Sequence, residues 1–493
     1  MTMNRITRSL TFGLACLAWV TSGCGDDTKT TTDTSTTDTV VADTVVADTA
    51  VTDTAVTDTG GADVAEDTSV ADTVDPAVAA CRAAIAAKET AVASDLTGWS
   101  ITDAAQMVRT GGDQAKEADY AGKYRDDLAS HPGCAPRTEY GKNVEPFVQS
   151  NEADVPAGVP ADSTNLPGYP CAAKVYTQAT PDTDKPVVIL VHGNSSANTS
   201  FEDYFKAALA GTDVTTGAGA GNTFKVDAAV RKQLATQLID DGYQVIAFDA
   251  RIDKVATLSD WDSASATGNP FMNIDHGWAV PMLQSLVKAV INKYPGRKVS
   301  IVGHSLAVTT IRDALRRLYN ESKTGAAGSV NPFAHLQDVV LLSGANHGVA
   351  NGQYLCDTFP HMKGTVGCEM GDRGTFVPTY FDKPINGPSD LFATPCADGS
   401  YAFGERDQCE GNVVQYTTVT MQDVEDGSLQ DEYVSEESSR LDLEPCVANE
   451  LITLSDYDTS AYFIDAYPAL LANHFGSARS NAGIALVMQK LAD

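Results

Sequence analysis

Between residues 186 and 344 the chain alternates short, unbroken apolar runs with segments of helical period, and this limits the folds open to it. Pro186-Val-Val-Ile-Leu-Val191 is too short for a helix and apolar on both faces, as a strand inside a parallel sheet must be. Val230, Leu234 and Leu238 mark a helix ending at Gly242, and "YQVIAFDAR" (243–251) is the next strand. Leu283, Leu286, Val287 and Val290 then fall at i, i+3, i+4 and i+7, and Pro295-Gly296 stops that helix. "KVSIVG" is a further strand. Val308, Ile311, Leu315 and Leu318 line one face of the helix behind it, and "LQDVVLLSG" (336–344) is the strand after that. This β-α-β-α-β order predicts an α/β fold, a mostly parallel sheet with helices on both faces. In open sheets of this kind reactive groups sit beyond the carboxyl ends of the strands.

One serine lies at such an end. "VSIVGHSLAVTT" (299–310) contains Gly303-His304-Ser305-Leu306-Ala307, a G-x-S-x-G pattern with alanine in the last place. A serine on a tight strand-to-helix turn has a strained backbone, so the residues two before and two after it must be small. Gly303 meets this fully, and Ala307 adds one methyl. The pattern alone is common; a strand before it and an amphipathic helix after it make Ser305 a candidate nucleophile. Upstream, "VVILVHGNSS" (187–196) sets His192-Gly193-Asn194 directly after a buried strand.

Together these stretches resemble the α/β-hydrolase fold, and within it secreted bacterial lipases and esterases, with polyhydroxyalkanoate depolymerases as relatives. The resemblance covers about 180–350 well and the C-terminus more loosely; it does not reach 76–170. It implies a serine hydrolase that cleaves carboxylic esters through a Ser-Asp-His triad and an acyl-enzyme. It also implies that the backbone amides of Asn194 and Leu306 form the oxyanion hole, and that the triad follows the order serine, acid, histidine. His192 then has a structural part, hydrogen-bonding within its loop, because a base there would break that order. His347, in "SGANHGVANG", takes the place of a site-lining loop in related lipases, and His361 falls in a cysteine-bearing insertion. His474 precedes a final helix, the family's position for the general base, although strand "ELITLS" (450–455) ends about eighteen residues earlier. For the acid, Asp423, Asp426 and Asp431 follow the strand "VVQYTTVTMQ" (413–422). Asp431 opens a D-x-x-V stretch leading into a serine-rich helix start and is preferred; Asp426, in a nearer Asp-Gly pair, is the alternative. No metal and no organic cofactor is implied. Some related lipases hold a structural calcium, but no loop of EF-hand spacing occurs in this sequence.

The rest of the chain speaks to location. Arg5 and Arg8 precede an apolar run from Leu10 to Val20, of signal-peptide length and shorter than the roughly 20 residues of a membrane-spanning helix. "TSGC" ending at Cys24 resembles a bacterial lipoprotein signal, making 1–24 the signal and Cys24 the site of lipid attachment. The plainer reading is an ordinary secretory signal with a chance cysteine. In 26–75 thirteen acidic residues stand against one lysine, with aspartate every fifth position from Asp33 to Asp63. Such a tract repels itself and buries nothing, so 25–75 is expected to be a disordered spacer with a reach of roughly 40 Å. The folded domain is expected at 76–493. Net charge of −31 argues against nucleic acid as a partner, and an ester or lipid substrate with an N-terminal membrane anchor remains, in an exported cell-envelope lipoprotein.

Eight cysteines outside the signal suggest up to four disulfides in an exported chain, with 105 possible pairings. Cys356, Cys368, Cys396 and Cys409 are expected to staple an insertion at about 349–412 among themselves. There Leu355, Phe359, Met362, Phe376, Tyr380 and Phe381 either line an acyl pocket or pack the insertion's own small core. A polyester depolymerase is the alternative within the class. A tethered, non-catalytic binding module is the alternative outside it, and the retained Ser305, His474 and candidate acids speak against that.

Overall fold

The computed structural model describes residues 75–96, 137–139, 142–146, 173–178, 180–193, 200–202, 233–248, 279–349, 385–396, 409–423, 431, 434–454 and 472–493. The signal, the spacer up to residue 74, Cys24, Asn194, His361, Asp426 and the six proposed pocket residues from Leu355 to Phe381 lie outside this set.

The strands include every apolar run read between residues 186 and 344. In chain order these are β1 (Arg137–Glu139), β2 (Lys142–Pro146), β3 (Ala173–Thr177), β4 (Val187–Val191), β5 (Gln244–Phe248), β6 (Val299–His304), β7 (Leu336–Leu342), β8 (Gln415–Asp423) and β9 (Val447–Leu454). They make one sheet in the order β1-β2-β3-β5-β4-β6-β7-β8-β9. Strands β4 to β9 run parallel, while β1, β2 and β3 add an antiparallel edge beside β5. That edge falls largely where the sequence showed no strand signal, because β1 and β2, Arg-Thr-Glu and Lys-Asn-Val-Glu-Pro, are mostly polar. Strand β4 pairs with β5 on one side and β6 on the other, and the connections that leave β4 (to β5) and β6 (to β7) run in opposite directions along the sheet. A crevice beyond the carboxyl ends of β4 and β6 follows from this reversal.

Every residue of β4, β5 and β6 is buried. Because side chains alternate across a strand, two cores result. Val187, Ile189, Val191, Ile301, Val339 and Leu341 face one side, with helices α1 (Pro76–Ala91), α3 (Ala279–Lys293) and α4 (Ala307–Lys323). Val188, Leu190, Val245, Val302, Val340 and Leu342 face the other, with α2 (Leu234–Asp240) and α7 (Asn481–Lys490). The helical stripes read from sequence, Leu283/Leu286/Val287/Val290 and Val308/Ile311/Leu315/Leu318, are all buried in the first core. Each such side chain contributes about 1.5–3 kcal/mol of transfer free energy. Helix α2 closes at Asp240, and Gly242 turns the chain into β5 with φ of 91°.

Two findings concern segments the sequence left open. Helix α1 starts at Pro76 with the Asp75 carboxylate accepting from Ala77 N–H (2.7 Å), and Cys81 bridges to Cys446 at the foot of β9. Lys88 strengthens that join by donating to the Ser389 carbonyl (2.9 Å) and the Asp442 carboxylate (2.8 Å). A second disulfide among the described residues, Cys396–Cys409, joins two of the four cysteines expected to pair among themselves within the insertion; Cys356 and Cys368 lie outside the described residues. The described part of the insertion does not have a core to itself: Leu391, Phe392, Ala393, Cys396 and Cys409 belong to the same core as α4. Among the described residues no helix is long and apolar enough to cross a membrane.

Candidate active site

Strand β6 ends in a turn whose backbone is set by sterics. Ser305 has φ of 59°, the left-handed region that a serine enters only at a strain of about 1–3 kcal/mol. Its N–H donates to the Leu342 carbonyl (2.9 Å) and its carbonyl accepts from Val308 N–H (3.1 Å), which starts α4. A Cβ at Gly303 would stand 2.2 Å from Ile311 Cδ1 and 3.1 Å from Ala307 Cβ. Ile311 Cδ1 fills the space that the missing Cβ of Gly303 leaves, and the Ala307 methyl packs beside it. Gly344, after β7, is equally confined, since its Cβ would lie 2.2 Å from Val308 Cγ2.

The loop after β4 runs against this turn. A Cβ on Gly193 would fall 2.9 Å from Ser305 Cβ and 3.0 Å from the His304 carbonyl oxygen. His192 is buried, donates from Nδ1 to the Gly193 carbonyl (2.8 Å) and stacks on Phe248 at 6.2 Å. Asn194 lies outside the described residues, and Leu306 is half-buried at the head of α4.

His474 is the third residue of α6 (Ala472–Arg479), the short helix that precedes the final helix α7. Its Nδ1 lies 2.9 Å from both carboxylate oxygens of Asp431. Asp431 sits beside the end of β8, its N–H donating to the Met421 carbonyl (3.1 Å) and its Oδ1 accepting from Val434 N–H (2.9 Å). Its side chain is wholly buried. Burial pushes the Asp431 carboxyl up, but the charge and hydrogen bond of His474, the Val434 amide and the Ser343 hydroxyl outweigh it and hold the acid below the ordinary carboxylate range. A carboxylate so placed accepts Nδ1–H and leaves the lone pair of His474 on Nε2.

Sequence reading did not single out three further residues here. His304 is buried, its Nε2 donating to the His474 carbonyl (2.7 Å) and its ring 4.8 Å from that of His474. Ser343, ending β7 with φ of 46°, is hydrogen-bonded to Asp431 and to the Ser477 hydroxyl (2.8 Å). Arg479, on α6, donates to the Ser200 carbonyl (3.1 Å) and so ties the His474 helix to the loop after β4. Only His304 had a signal in sequence, its place beside Ser305.

His347 takes another role. Its Nε2 is 3.2 Å from Asp390 Oδ2, and its N–H donates to the Ser438 carbonyl (3.0 Å) of the short helix α5 (Glu436–Ser439). Burial raises the Asp390 carboxyl, yet His347 and the Asp442 amide hold it below its ordinary range. These residues border a cavity of about 630 Å³ with Asn386, Glu437 and Asp442, and none of Ser305, His474 or Asp431 lines it. Among the described residues no three His, Cys, Asp or Glu side chains converge to hold a metal ion.

The reversal of strand order at β4 and the turn after β6 define an α/β-hydrolase fold. No family model and no curated protein matches the chain. Among solved structures it is similar to the mature lipase BlEst2 of Bacillus licheniformis, at 15% identity and TM-score 0.34, over 64% of this chain and 95% of that one. It is similar to the carboxylesterase CesB of Bacillus subtilis at 11% identity and TM-score 0.30, over 77% and 98%. Lipase B of Aspergillus fumigatus is similar at 11% identity and TM-score 0.35, over 86% and 82%.

Proposed function

We propose that the chain is a serine hydrolase of carboxylic esters, of the lipase or esterase type, with Ser305 as nucleophile, His474 as base and Asp431 as acid. One observation carries this reading: a left-handed serine turns from β6 into α4, and a buried histidine–carboxylate pair packs on the residue before it.

Ser305 Oγ attacks the ester carbonyl carbon while its proton passes to Nε2 of His474. Asp431 holds the imidazole by Nδ1–H and stabilises the cation that forms. The oxyanion of the tetrahedral intermediate accepts from the amides of Leu306 and Asn194, a stabilisation of about 2.7–4 kcal/mol for each donor. Collapse expels the alkoxide, which takes the proton from His474 and leaves an acyl-enzyme. Water then attacks the acyl carbon with His474 again as base, releasing the carboxylic acid and restoring Ser305. The domain acts outside the cytoplasm, tethered through lipid on Cys24 and held off the surface by 25–75.

Ser305→Ala is expected to abolish turnover of p-nitrophenyl butyrate and labelling by a fluorophosphonate; a variant that keeps turnover overturns the assignment. Esters from acetate to palmitate, together with a polyester film, separate esterase, lipase and depolymerase. A wild-type protein that takes no label at all is the non-catalytic module instead. For the tether, Cys24→Ser is expected to move the protein from the membrane fraction to the soluble one, and an unchanged distribution removes the anchor.

A further inference from the structure

His304 stands immediately before Ser305 and takes no part in the steps above. It is 6% exposed and lies on β6, the strand that presents the serine. Its partner is remote in sequence: Nε2 is 2.7 Å from the backbone carbonyl oxygen of His474, 170 residues further on. A carbonyl only accepts, so Nε2 carries the hydrogen and donates. The two imidazoles are 4.8 Å apart with planes inclined at 52°. Ser477 Oγ lies 3.3 Å from the same carbonyl and 2.8 Å from the Ser343 hydroxyl just after β7, and its single hydrogen is shared between the two. The first turn of α6 is thus gripped from the ends of two neighbouring strands, and the firmer grip comes from the residue joined to the serine.

We propose that His304 is a positioning residue for His474: by donating from Nε2 to the His474 carbonyl, it ties the position of that ring to the strand end that carries Ser305. The inference rests on the reading of Ser305 and His474 as nucleophile and base. One covalent neighbour of the serine then sets where the base stands, so any shift of β6 carries both groups together. In the folded chain the ring is neutral, with its hydrogen on Nε2. Burial first, then the nearby His474 and Arg479 of α6, depress His304 to about 3, against the smaller opposing effects of its own hydrogen bond and of Asp431 beside β8. Two imidazoles this close do not share a second positive charge, and the ring of His474 is the one that Asp431 holds. The cation of the proposed reaction is therefore confined to His474.

Paired variants test this. Glutamine sets an amide nitrogen the same number of bonds from Cα as imidazole Nε2, whereas methionine fills similar space without a donor. Displacing a reacting group by about 1 Å costs roughly 100-fold in rate, so His304→Met is expected to lower kcat for p-nitrophenyl butyrate by about that factor, with KM within about twofold. His304→Gln is expected to return kcat to within about fivefold of the parent, the span of one hydrogen bond of imperfect geometry. Parental kcat in His304→Met overturns the proposal, as does equal impairment of both variants at equal Tm, which would assign the effect to ring volume. Should His304→Met not fold, His304→Asn replaces it, since its amide is one bond short; a kcat for Asn equal to that for Gln overturns the proposal equally. Failure of the parent itself to turn over ester or take the fluorophosphonate removes the underlying reading, and the inference with it. Activity in the parent with no change in the variants removes the inference alone.

Discussion

Asp338 gives the protein a stability that depends on pH with a definite sign. It lies in β7, 3% exposed, and accepts from the Ser300 hydroxyl of β6 at 2.7 Å. Burial pushes its carboxyl from 3.8 up to about 6; the Ser300 hydrogen bond opposes this and the negative charge of Asp493 adds to it. Below about pH 3 the group is protonated whether the chain is folded or not, and it costs nothing. Between pH 4 and 6 the unfolded chain ionises while the folded one keeps its proton, so stability falls as pH rises. Above pH 6 the full penalty stands, about 3 kcal/mol for a shift of roughly two units at 1.36 kcal/mol each. Asp338→Asn removes the ionisation and keeps an oxygen for Ser300 to donate to. Solving the linkage at pH 4.5 and 7.5 gives penalties of about 1 and 3 kcal/mol, so the variant should gain about 2 kcal/mol on the parent between those values. Urea unfolding of both proteins at each pH reads this gap directly. A gap that stays constant, or narrows as pH rises, refutes the reasoning and shows that Asp338 ionises normally in the folded state.

Three further outcomes are expected. Gly303→Ala drives a methyl to 2.2 Å from Ile311 Cδ1 and should destabilise by about 1–3 kcal/mol; adding Ile311→Val removes that atom, and thermal unfolding should then show less than additive loss. Asp431→Asn should cut kcat by about 10³–10⁴-fold, because an amide can offer His474 Nδ1 a hydrogen and stabilise the wrong tautomer; a near-parental rate would move the acid to Asp426. The double variant Cys81→Ser/Cys446→Ser opens a link across 365 residues and should lose about 2–4 kcal/mol in denaturation, whereas an unchanged midpoint would mean that α1 is held by packing alone.

Much of this fold is legible in the chain because its central strands leave little ambiguity. Strands β4 and β6, with β7 beside them, are almost wholly buried on both faces, so they must be written as runs of Val, Ile and Leu, and such runs survive any reading frame. The stripes of α3 and α4 are legible for the matching reason, that one face of each meets the sheet. The turn at Ser305 is legible through its steric demands, which fall on residues two before and two after it. The antiparallel edge is not, since β1 and β2 are mostly polar and form no apolar run.

Local sequence by itself therefore determined the sheet's centre, its helices and the strained serine, because periodicity and sterics act between residues a few positions apart. Tertiary structure alone decided which distant groups meet. Several aspartates follow the strand before Asp431 in the sequence, and only the packing of α6 against β8 selects the carboxylate that His474 reaches. Only that packing lays His304 against His474, and only chain closure pairs Cys81 with Cys446 among so many alternatives. Contacts of this kind have no period and no spacing; they follow from where whole elements come to rest on the sheet.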